Sequence, residues 1–419
     1  MTRFVGRMVC GLLVAAGLSQ RLSAENWPGW RGPRGNGTSL ERDIPVHWDT
    51  KTNVVWKIPT PHAGHASPIV WNNTLFLVGI DREKQNRVLT AFDNRTGKRL
   101  WERIVLHAPL EHIHRFNSRA SSTPVTDGKL VYVSFLDRTE MFVAAYDFSG
   151  RKLWERRPGV FASKHGYCSS PILYKDKVIV NGDHDGNAYL VALDRRTGKT
   201  LWKVSRENKT RSYCTPIIRT VGGRTQMMLS GSKCVASYNP DDGSRYWILD
   251  GPTEQFVASL VMDRGLVFVT GGFPDKHILT IDPNGTGNIT GTHYVKWRHY
   301  RKGVSYVPSP IAVGDYFFLV SDNGIGSCYD AQTGKVEWQQ RMGRGYWSSL
   351  VSADGHVYFL DNDGNTKVVQ AGPRYHLLAT NRLGEAMFAS PAISKGRIYI
   401  RGEEHLFCIG RRGTKVSRR

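Results

Sequence analysis

The chain has 419 residues, with 57 Lys and Arg against 36 Asp and Glu and a formal net charge of +21. This length is ample for a large buried core, and the absence of any long segment with a 3.6-residue apolar period excludes a helical protein. Many of the 43 glycines stand at turn positions between short apolar runs, which favours an all-β protein.

Residues 1–24 have the composition of an export signal. Two arginines begin the segment, and an apolar run of about eleven residues follows at 8–18, too short to span a bilayer. We expect cleavage near Ala24 and a periplasmic or secreted protein. Leu22 fits a cleavage site imperfectly, so an uncleaved anchor is the alternative.

Residues 25–53 form a segment rich in Trp, Gly and Pro that fits neither a helix nor a regular strand. Trp27 and Trp30 need a place to bury their rings. We expect an irregular strap that lies along the domain after it. A peptide that docks a partner is the alternative interpretation.

From residue 54 to residue 409 the chain repeats one unit, most clearly at 169–202, with four short strands and three turns. Each unit begins with a small residue, usually followed by Pro, and ends in Asp-x-x-Thr-Gly-x-x-x-Trp or a looser form. The first and last of eight entries, at Pro68 and Pro391, give a period of about 46 residues, which is typical of β-propellers.

The ending Ala-x-Asp-x-x-Thr-Gly-x-x-x-Trp is complete at 91–101 and 192–202. It resembles the repeat of the pyrroloquinoline-quinone-type, or quinoprotein-like, β-propellers. The resemblance implies an all-β, eight-bladed propeller of four-stranded antiparallel blades, similar to exported bacterial proteins of the BamB type. It also implies that the outer-strand tryptophans dock between blades, namely Trp56, Trp101, Trp154, Trp202, Trp247, Trp297 and Trp338.

The last unit contains only three strands, the third of them near His405 to Ile409. The spare segment Val54 to Ile58 carries Trp56 and precedes the first entry. Pairing it into the last blade would join the two ends of the chain and remove two free sheet edges. We therefore expect an N-terminal strand to complete the eighth blade.

Five cysteines follow the export signal, an odd number that argues against a complete disulfide framework. Cys328 and Cys408 occupy a small-residue position of the repeat and are expected to be buried. Cys168 and Cys214 stand at similar places in adjacent blades. A disulfide between them and two separate buried thiols both remain open.

Removal of the export signal, which has three Arg and no acids, leaves a net charge of +18. Residues 410–419 form a basic tail that we expect to be disordered. The positive field favours polyanions. We expect an envelope protein or an anionic polysaccharide as the partner, rather than nucleic acid, and a monomer with no transmembrane span. A solvated basic surface without a specific partner is the alternative.

Loops that enter the first strand of each blade should meet at one mouth of the central channel. Their Arg, His and aromatic residues suit an anionic ligand, because guanidinium groups pair with carboxylate, sulfate or phosphate and rings stack on sugars. The candidate binding residues are Arg119, His165, Tyr167, Arg211, Tyr213, Tyr306, Arg344 and Trp347. Binding should strengthen below about pH 6.5, where His165 would gain charge. Ordinary solvated loops are the alternative.

No metal site is expected. The His112-x-His114 pair lacks ligands at suitable spacing, and the Asp-rich turns at 183–187 and 361–365 lack the Glu that closes a calcium loop.

Quinoprotein dehydrogenases of the family use an adjacent Cys-Cys disulfide, a Glu/Asn calcium set and a catalytic Asp. This chain has no adjacent cysteines. We therefore expect no cofactor and no catalytic residue, and a binding or scaffold protein. A pyrroloquinoline-quinone-dependent alcohol or sugar dehydrogenase is the alternative.

Overall fold

Eight antiparallel sheets surround a central channel, so the structure is an eight-bladed β-propeller, as the repeat predicts. It is a computed structural model that describes residues 24–300 and 304–411. The predicted export signal up to residue 23 and the basic tail beyond residue 411 lie outside the described residues. Within the described ranges, no helix is long and apolar enough to cross a membrane.

The strands of the first half of the chain are β1 (Val54–Pro59), β2 (Ile69–Trp71), β3 (Thr74–Asp81), β4 (Asn86–Asp93), β5 (Arg99–His107), β6 (Val125–Thr126), β7 (Leu130–Asp137), β8 (Glu140–Asp147), β9 (Lys152–Val160), β10 (Ile172–Tyr174), β11 (Lys177–Gly182), β12 (Tyr189–Asp194), β13 (Thr200–Ser205), β14 (Ile217–Val221), β15 (Arg224–Gly231), β16 (Cys234–Tyr238) and β17 (Arg245–Asp250). Those of the second half are β18 (Val261–Asp263), β19 (Leu266–Gly271), β20 (His277–Ile281), β21 (Gly287–Asn288), β22 (Val295–Tyr300), β23 (Ile311–Val313), β24 (Tyr316–Val320), β25 (Ile325–Asp330), β26 (Val336–Arg341), β27 (Val351–Ala353), β28 (His356–Leu360), β29 (Asn365–Gln370), β30 (Leu377–Arg382), β31 (Ala392–Ser394), β32 (Arg397–Arg401) and β33 (His405–Ile409).

Blades 1 to 3 take four consecutive strands each, from β2 to β13. Blade 4 is β14–β17 with β21 added as a parallel fifth strand, and blade 5 is β18, β19, β20 and β22. Blades 6 and 7 are β23–β26 and β27–β30, and blade 8 joins β31–β33 to β1. In blade 8, Trp56 of β1 lies opposite Cys408 of β33. The predicted closure of the ring by an N-terminal strand is confirmed.

The outer strands of neighbouring blades are joined by the repeated tryptophans. Each indole Nε1 donates to a backbone carbonyl in the turn between the third and fourth strands of the next blade, at 2.8–3.2 Å. The pairs are Trp56 to Asn94, Trp101 to Phe148, Trp154 to Arg195, Trp202 to Pro240, Trp247 to Pro283, Trp297 to Ala331 and Trp338 to Gly372.

The Asp-x-x-Thr-Gly turn is shaped to receive that ring. The Asp93 carboxylate accepts the backbone N–H groups of Arg95 and Thr96 and so closes the turn. Gly97 has a φ of 76°, and a Cβ there would lie 3.0 Å from the Trp56 ring. A glycine is needed for the conformation and for the close approach of the indole.

Five of the seven tryptophans are buried, whereas Trp101 and Trp297 are half-buried. Docking against the next blade therefore leaves these two rings only partly buried. The outer strands form the rim of the propeller, so one edge of these two rings is left to solvent. Both rings still donate to the next blade and pack on an aromatic side chain of their own blade, Phe76 and Phe268 respectively.

A second set of contacts joins the blades around the channel. The backbone N–H of each small residue at a blade entry donates to the hydroxyl of the corresponding residue in the next blade, at 2.9–3.1 Å. The hydroxyl ring runs through Ser67, Thr123, Ser170, Thr215, Ser259, Ser309, Ser349 and Ser390. These bonds explain why the entry position holds Ser or Thr.

The hydroxyl ring is interrupted where blade 8 meets blade 1. There the Ser67 hydroxyl is buried without a hydrogen-bond partner among the described residues. Fully buried Arg401 of β32 bridges the two blades instead, because its guanidinium donates to the carbonyls of His62, Ala66 and Val78 at 2.9–3.1 Å. Burial lowers the pKa of Arg401 to about 9.

Blade 7 departs from the repeat because its outer strand carries Ala379 where the other blades carry Trp. The reason is topological. The third and fourth strands of blade 8 come from opposite ends of the chain, so the repeat's Asp-x-x-Thr-Gly turn, which receives the indole elsewhere, does not connect them. Trp48 of the N-terminal segment stacks instead on Tyr358 of β28, with ring centroids 6.3 Å apart.

The N-terminal segment crosses the channel at the end remote from the blade entries. Trp27 exchanges two backbone hydrogen bonds of 2.8 Å with Val70 of blade 1. Arg31 is buried and donates to the carbonyls of Pro310 and Leu350, at the first strands of blades 6 and 7. Contacts with first strands on several sides place the strap across the channel opening. These residues of the 25–53 segment therefore lie against the propeller and close one end of its channel.

We predict that Trp56→Ala and Trp202→Ala each lower the free energy of unfolding by roughly 3 to 5 kcal/mol, because each removes a buried ring and an interblade hydrogen bond. Leu201→Ala is the matched control, since Leu201 neighbours Trp202 and is 44% exposed. Urea denaturation measures all three. Equal effects of the Trp202 and Leu201 substitutions would contradict the interblade role.

We further predict that Trp48→Ala destabilises the protein by a similar amount, roughly 3 kcal/mol, although Trp48 lies outside every strand. The reason is that its ring fills the place left by Ala379. Leu40→Ala, in the same segment and 55% exposed, is the control. A melting temperature that Trp48→Ala leaves unchanged would show that the strap contributes no packing to blade 7.

Candidate functional site

A cavity of about 800 Å³ opens at the mouth where the chain enters the first strand of each blade. Its floor consists of entry hydroxyls from six blades and of the Trp30 side chain, whose Nε1 lies 3.3 Å from the Ser259 hydroxyl. Trp30 belongs to the strap that crosses the far end of the channel. The cavity is therefore closed below and open on one side.

One wall of the cavity is polar and comes from the entries of blades 3 to 6. Arg211 lies 2.7 Å from the Asp185 carboxylate, and the Tyr213 hydroxyl lies 3.2 Å from that of Ser163. Further round the wall, the Gln255 amide donates to the Tyr306 hydroxyl at 2.7 Å. This wall presents hydroxyl and amide groups that are already held in place.

The facing wall is aromatic and comes from the entries of blades 7, 8, 1 and 2. Its rings are in mutual contact: Trp347 lies 4.5 Å from Phe388 and 4.8 Å from Phe116 between centroids, and His65 lies 5.0 Å from Phe388. All four are half-buried, so each leaves part of its surface to the cavity. Burial, with the nearby Arg401 charge, lowers the pKa of His65 to about 4 and keeps that ring neutral.

Three cations at the cavity have no ion pair or hydrogen bond among the described residues. They are Lys164, Lys276 and Arg344, and all three are exposed. The carboxylate of Asp322 also lines the cavity, but its two oxygens accept the backbone N–H groups of Tyr306 and Val307 at 2.8 and 3.0 Å. Burial raises the pKa of Asp322. The cavity therefore carries an excess of positive charge.

Six of the eight predicted binding residues line this cavity: His165, Arg211, Tyr213, Tyr306, Arg344 and Trp347. Arg119 is absent from the described lining, because its Nε donates to the Glu111 carbonyl within its own loop. Tyr167 is buried with its hydroxyl 3.3 Å from that of Ser134. The expected convergence is wrong for these two residues.

Sequence reasoning missed Trp30, Phe116 and Lys276 as lining residues. Trp30 belongs to a segment without periodicity, so nothing in the sequence indicates which end of the channel it reaches. Lys276 lies in the turn between the second and third strands of blade 5, and such turns border the same mouth. The entry Ser and Thr residues mark strand starts in the sequence, and their recurrence at the same position of each blade is the signal that indicates the floor.

The predicted gain of positive charge by His165 near pH 6.5 is wrong. Burial is the largest cause, and the charges of Arg211, His114 and Lys164 add to it, so that the pKa of His165 falls to about 4. His165 is therefore neutral at neutral and mildly acidic pH. Its ring lies 5.1 Å from His114 and 6.1 Å from Tyr213, and it serves the cavity as a neutral ring.

The two Asp-rich turns hold internal partners. Asp183 is fully buried and pairs through both oxygens with Arg206, at 2.8 and 3.1 Å. Asp361 accepts the backbone and side-chain N–H groups of Asn365. An ion pair therefore occupies the Asp183 carboxylate, and hydrogen bonds within the turn occupy that of Asp361. Among the described residues, the group of three with metal-ligand geometry is Glu385, Glu404 and His405, which lies outside the cavity lining.

The cavity residues do not fit the quinone and calcium set that the sequence resemblance implies for dehydrogenases. Cys168 lines the cavity, but it and Cys214 are free thiols, so the disulfide left open by the sequence does not form. Burial raises the pKa of Cys168 to about 12. Asp322 is the one carboxylate in the described lining, and backbone N–H groups already occupy its oxygens.

Comparison with known proteins identifies one family, and the similar solved structures are named as a BamB protein and as two dehydrogenases. The model of the family described as outer membrane protein assembly factor BamB matches residues 43–134, 84–273 and 274–372. The outer membrane protein assembly factor BamB of Shewanella oneidensis is 20% identical over 271 residues, which are 60% of this chain. The match covers 65% of that relative, slightly less than two thirds of its length.

Three solved structures share the fold at low identity. BamB from Moraxella catarrhalis has a TM-score of 0.61 at 12% identity and covers 87% of this chain and 99% of its own. The quinohemoprotein alcohol dehydrogenase from Comamonas testosteroni has a TM-score of 0.64 at 13% identity, with 94% and 82% covered. A europium-containing methanol dehydrogenase has a TM-score of 0.56 at 13% identity, with 91% and 90% covered.

These structural likenesses show the fold and leave open which class this chain follows. The family match extends over residues 43–372, which is most of the chain and runs from β1 to the third strand of blade 7. The protein is therefore a member of the BamB-type family of pyrroloquinoline-quinone-repeat β-propellers.

Proposed function

We propose that this protein is an exported, non-catalytic propeller of the cell envelope that binds an anionic ligand in its central cavity. The observation that carries the proposal is the set of three unpaired cations, Lys164, Lys276 and Arg344, around a cavity that the strap closes from below. A preformed concave site with a few placed polar groups is the usual form of a ligand pocket. The relatives' names, which refer to outer membrane protein assembly, support an envelope role.

A binding role is favoured over catalysis by the state of the polar groups. General acid–base or nucleophilic chemistry needs a base within hydrogen-bond reach of a reactive group. Here the Asp322 oxygens accept backbone N–H groups, and the Cys168 thiol has a raised pKa. A quinone-dependent dehydrogenase is the alternative supported by the shared fold. It would need a ligand set that the described lining does not supply.

We predict that the double variant Lys276→Ala with Arg344→Ala weakens binding of dextran sulfate at least tenfold, since two charge-assisted contacts are lost (on the order of 1.5 to 3 kcal/mol each). Arg374→Ala is the matched control, because Arg374 is exposed in the same blade as Arg344 but lies outside the cavity lining. Fluorescence anisotropy measures the affinity, and rising salt should weaken it.

The competing explanation is attraction to the whole basic surface. A variant that lacks residues 412–419 tests it. If loss of the tail abolishes binding and the double substitution leaves binding intact, the cavity is not the site.

We predict that the affinity for dextran sulfate does not depend on His165 between about pH 7.5 and 5.5, the range in which a free imidazole titrates. With a pKa near 4, the ring stays neutral across this window. The wild type and His165→Asn should therefore show the same pH profile. A rise in affinity towards pH 5.5 that His165→Asn removes would contradict the lowered pKa.

A further inference from the structure

We propose that the cavity takes an acidic saccharide, a sugar chain whose rings carry carboxylate or sulfate groups, and that it binds the chain by an end. This inference rests on the proposed anion-binding function and specifies its ligand. It follows from three features of the cavity: an aromatic wall opposite a polar wall, a floor of free hydroxyl donors, and closure on one side.

The two walls differ in chemistry because of the order of the blades. Phe388 and His65 enter from blades 8 and 1, whereas Arg211 and Gln255 enter from blades 4 and 5, on the opposite side of an eight-membered ring. A ligand that spans the cavity therefore meets flat rings on one side and charged or amide groups on the other. A pyranose ring offers C–H groups on its faces and polar substituents at its edge, which suits this division.

The floor adds a requirement for hydroxyl groups. The hydroxyl oxygens of Ser309, Ser349 and Ser390 each accept a backbone N–H from the preceding blade. None of the hydrogen bonds between described residues is donated by these three hydroxyls, and each hydroxyl has one proton to donate. A ligand rich in hydroxyl and ether oxygens would accept them. A purely aromatic acid would match the cations but has fewer acceptors, and an inorganic polyanion has acceptors but no C–H face to pack on the aromatic wall.

Because the floor is closed, a polymer could enter the cavity only from the mouth. Trp30 and the strap close the far end of the channel, while the mouth carries the exposed side chains of Phe273, Lys276 and Arg344. A chain cannot thread through the propeller, so a chain end or a short oligosaccharide must descend from the mouth. The cations at the mouth would meet the acidic groups of the first sugars that lie outside.

The test compares four probes by isothermal titration calorimetry: a galacturonate hexamer, a heparin-derived hexasaccharide, the carboxyl-reduced galacturonate hexamer, and polyphosphate of similar charge. We expect at least one acidic saccharide to bind. If the galacturonate hexamer binds, its carboxyl-reduced form should bind at least tenfold more weakly. Polyphosphate should bind more weakly than the better of the two acidic saccharides. Trp347 is half-buried in the aromatic wall, so binding of that saccharide should also shift the intrinsic fluorescence.

The variants are Trp347→Leu and Phe388→Leu, which keep an apolar side chain and remove the flat ring. Each should weaken saccharide binding by up to roughly tenfold, the value of one aromatic contact, and leave polyphosphate binding unchanged. Trp71→Leu is the control, because Trp71 is half-buried at the far end of blade 1 and outside the cavity lining. Matching melting temperatures check the fold, and two ring variants guard against the failure of one.

The outcomes separate the two proposals. Polyphosphate that binds as tightly as the saccharides, through Arg344 and without any effect of the ring variants, would overturn the saccharide assignment and leave the anion-binding function standing. If none of the four probes binds, both proposals fall. Saccharide binding that survives both ring substitutions would also overturn the assignment.

Discussion

Hydrogen bonds join neighbouring blades at two distances from the axis, around the central channel and at the outer rim. Near the channel, each blade entry donates its backbone N–H to a hydroxyl of the next blade, and at the rim each outer Trp donates to the next turn. Four-stranded sheets cannot bury two faces alone, so each blade depends on its neighbours. The entry Ser or Thr serves the inner contact, and the Trp of the ending with the Asp and Gly of the turn that receives it serves the outer one.

The point where the chain ends meet is the exception, and several irregular features follow from it. The third and fourth strands of blade 8 are not joined by a turn, so blade 7 has Ala379 in place of Trp, and Trp48 packs on Tyr358 from the strap. In the inner ring the Ser67 hydroxyl lacks its donor, and buried Arg401 bridges the blades. One topological fact thus accounts for an absent Trp and a strap contact, and the buried cation bridges the blades where the inner hydroxyl ring is interrupted.

The fold was predictable because the same entry and ending residues recur in successive blades. A blade whose copy of the repeat is degenerate can therefore be recognised from the spacing of the others. The closure was also predictable, since Val54 to Ile58 was a spare strand with the right Trp. The site was only partly predictable. Blade topology brought His165, Arg211 and Arg344 to one mouth, but the direction of a single side chain depends on its own loop, as Arg119 shows. The pKa of His165 depends on neighbours from other blades, which sequence spacing does not give.

The strap is what turns a channel into a pocket. An eight-bladed ring leaves a passage along its axis, and a passage open at both ends would bind a ligand only by its sides. Arg31 donates to carbonyls of blades 6 and 7, and Trp27 pairs with blade 1, so the strap is anchored at several points around the channel and holds Trp30 under the floor. The same segment that supplies packing to blade 7 therefore also defines the depth of the cavity. Because the floor hydroxyls are themselves the inner interblade contacts, the stability of the ring and the shape of the binding site rest on the same residues.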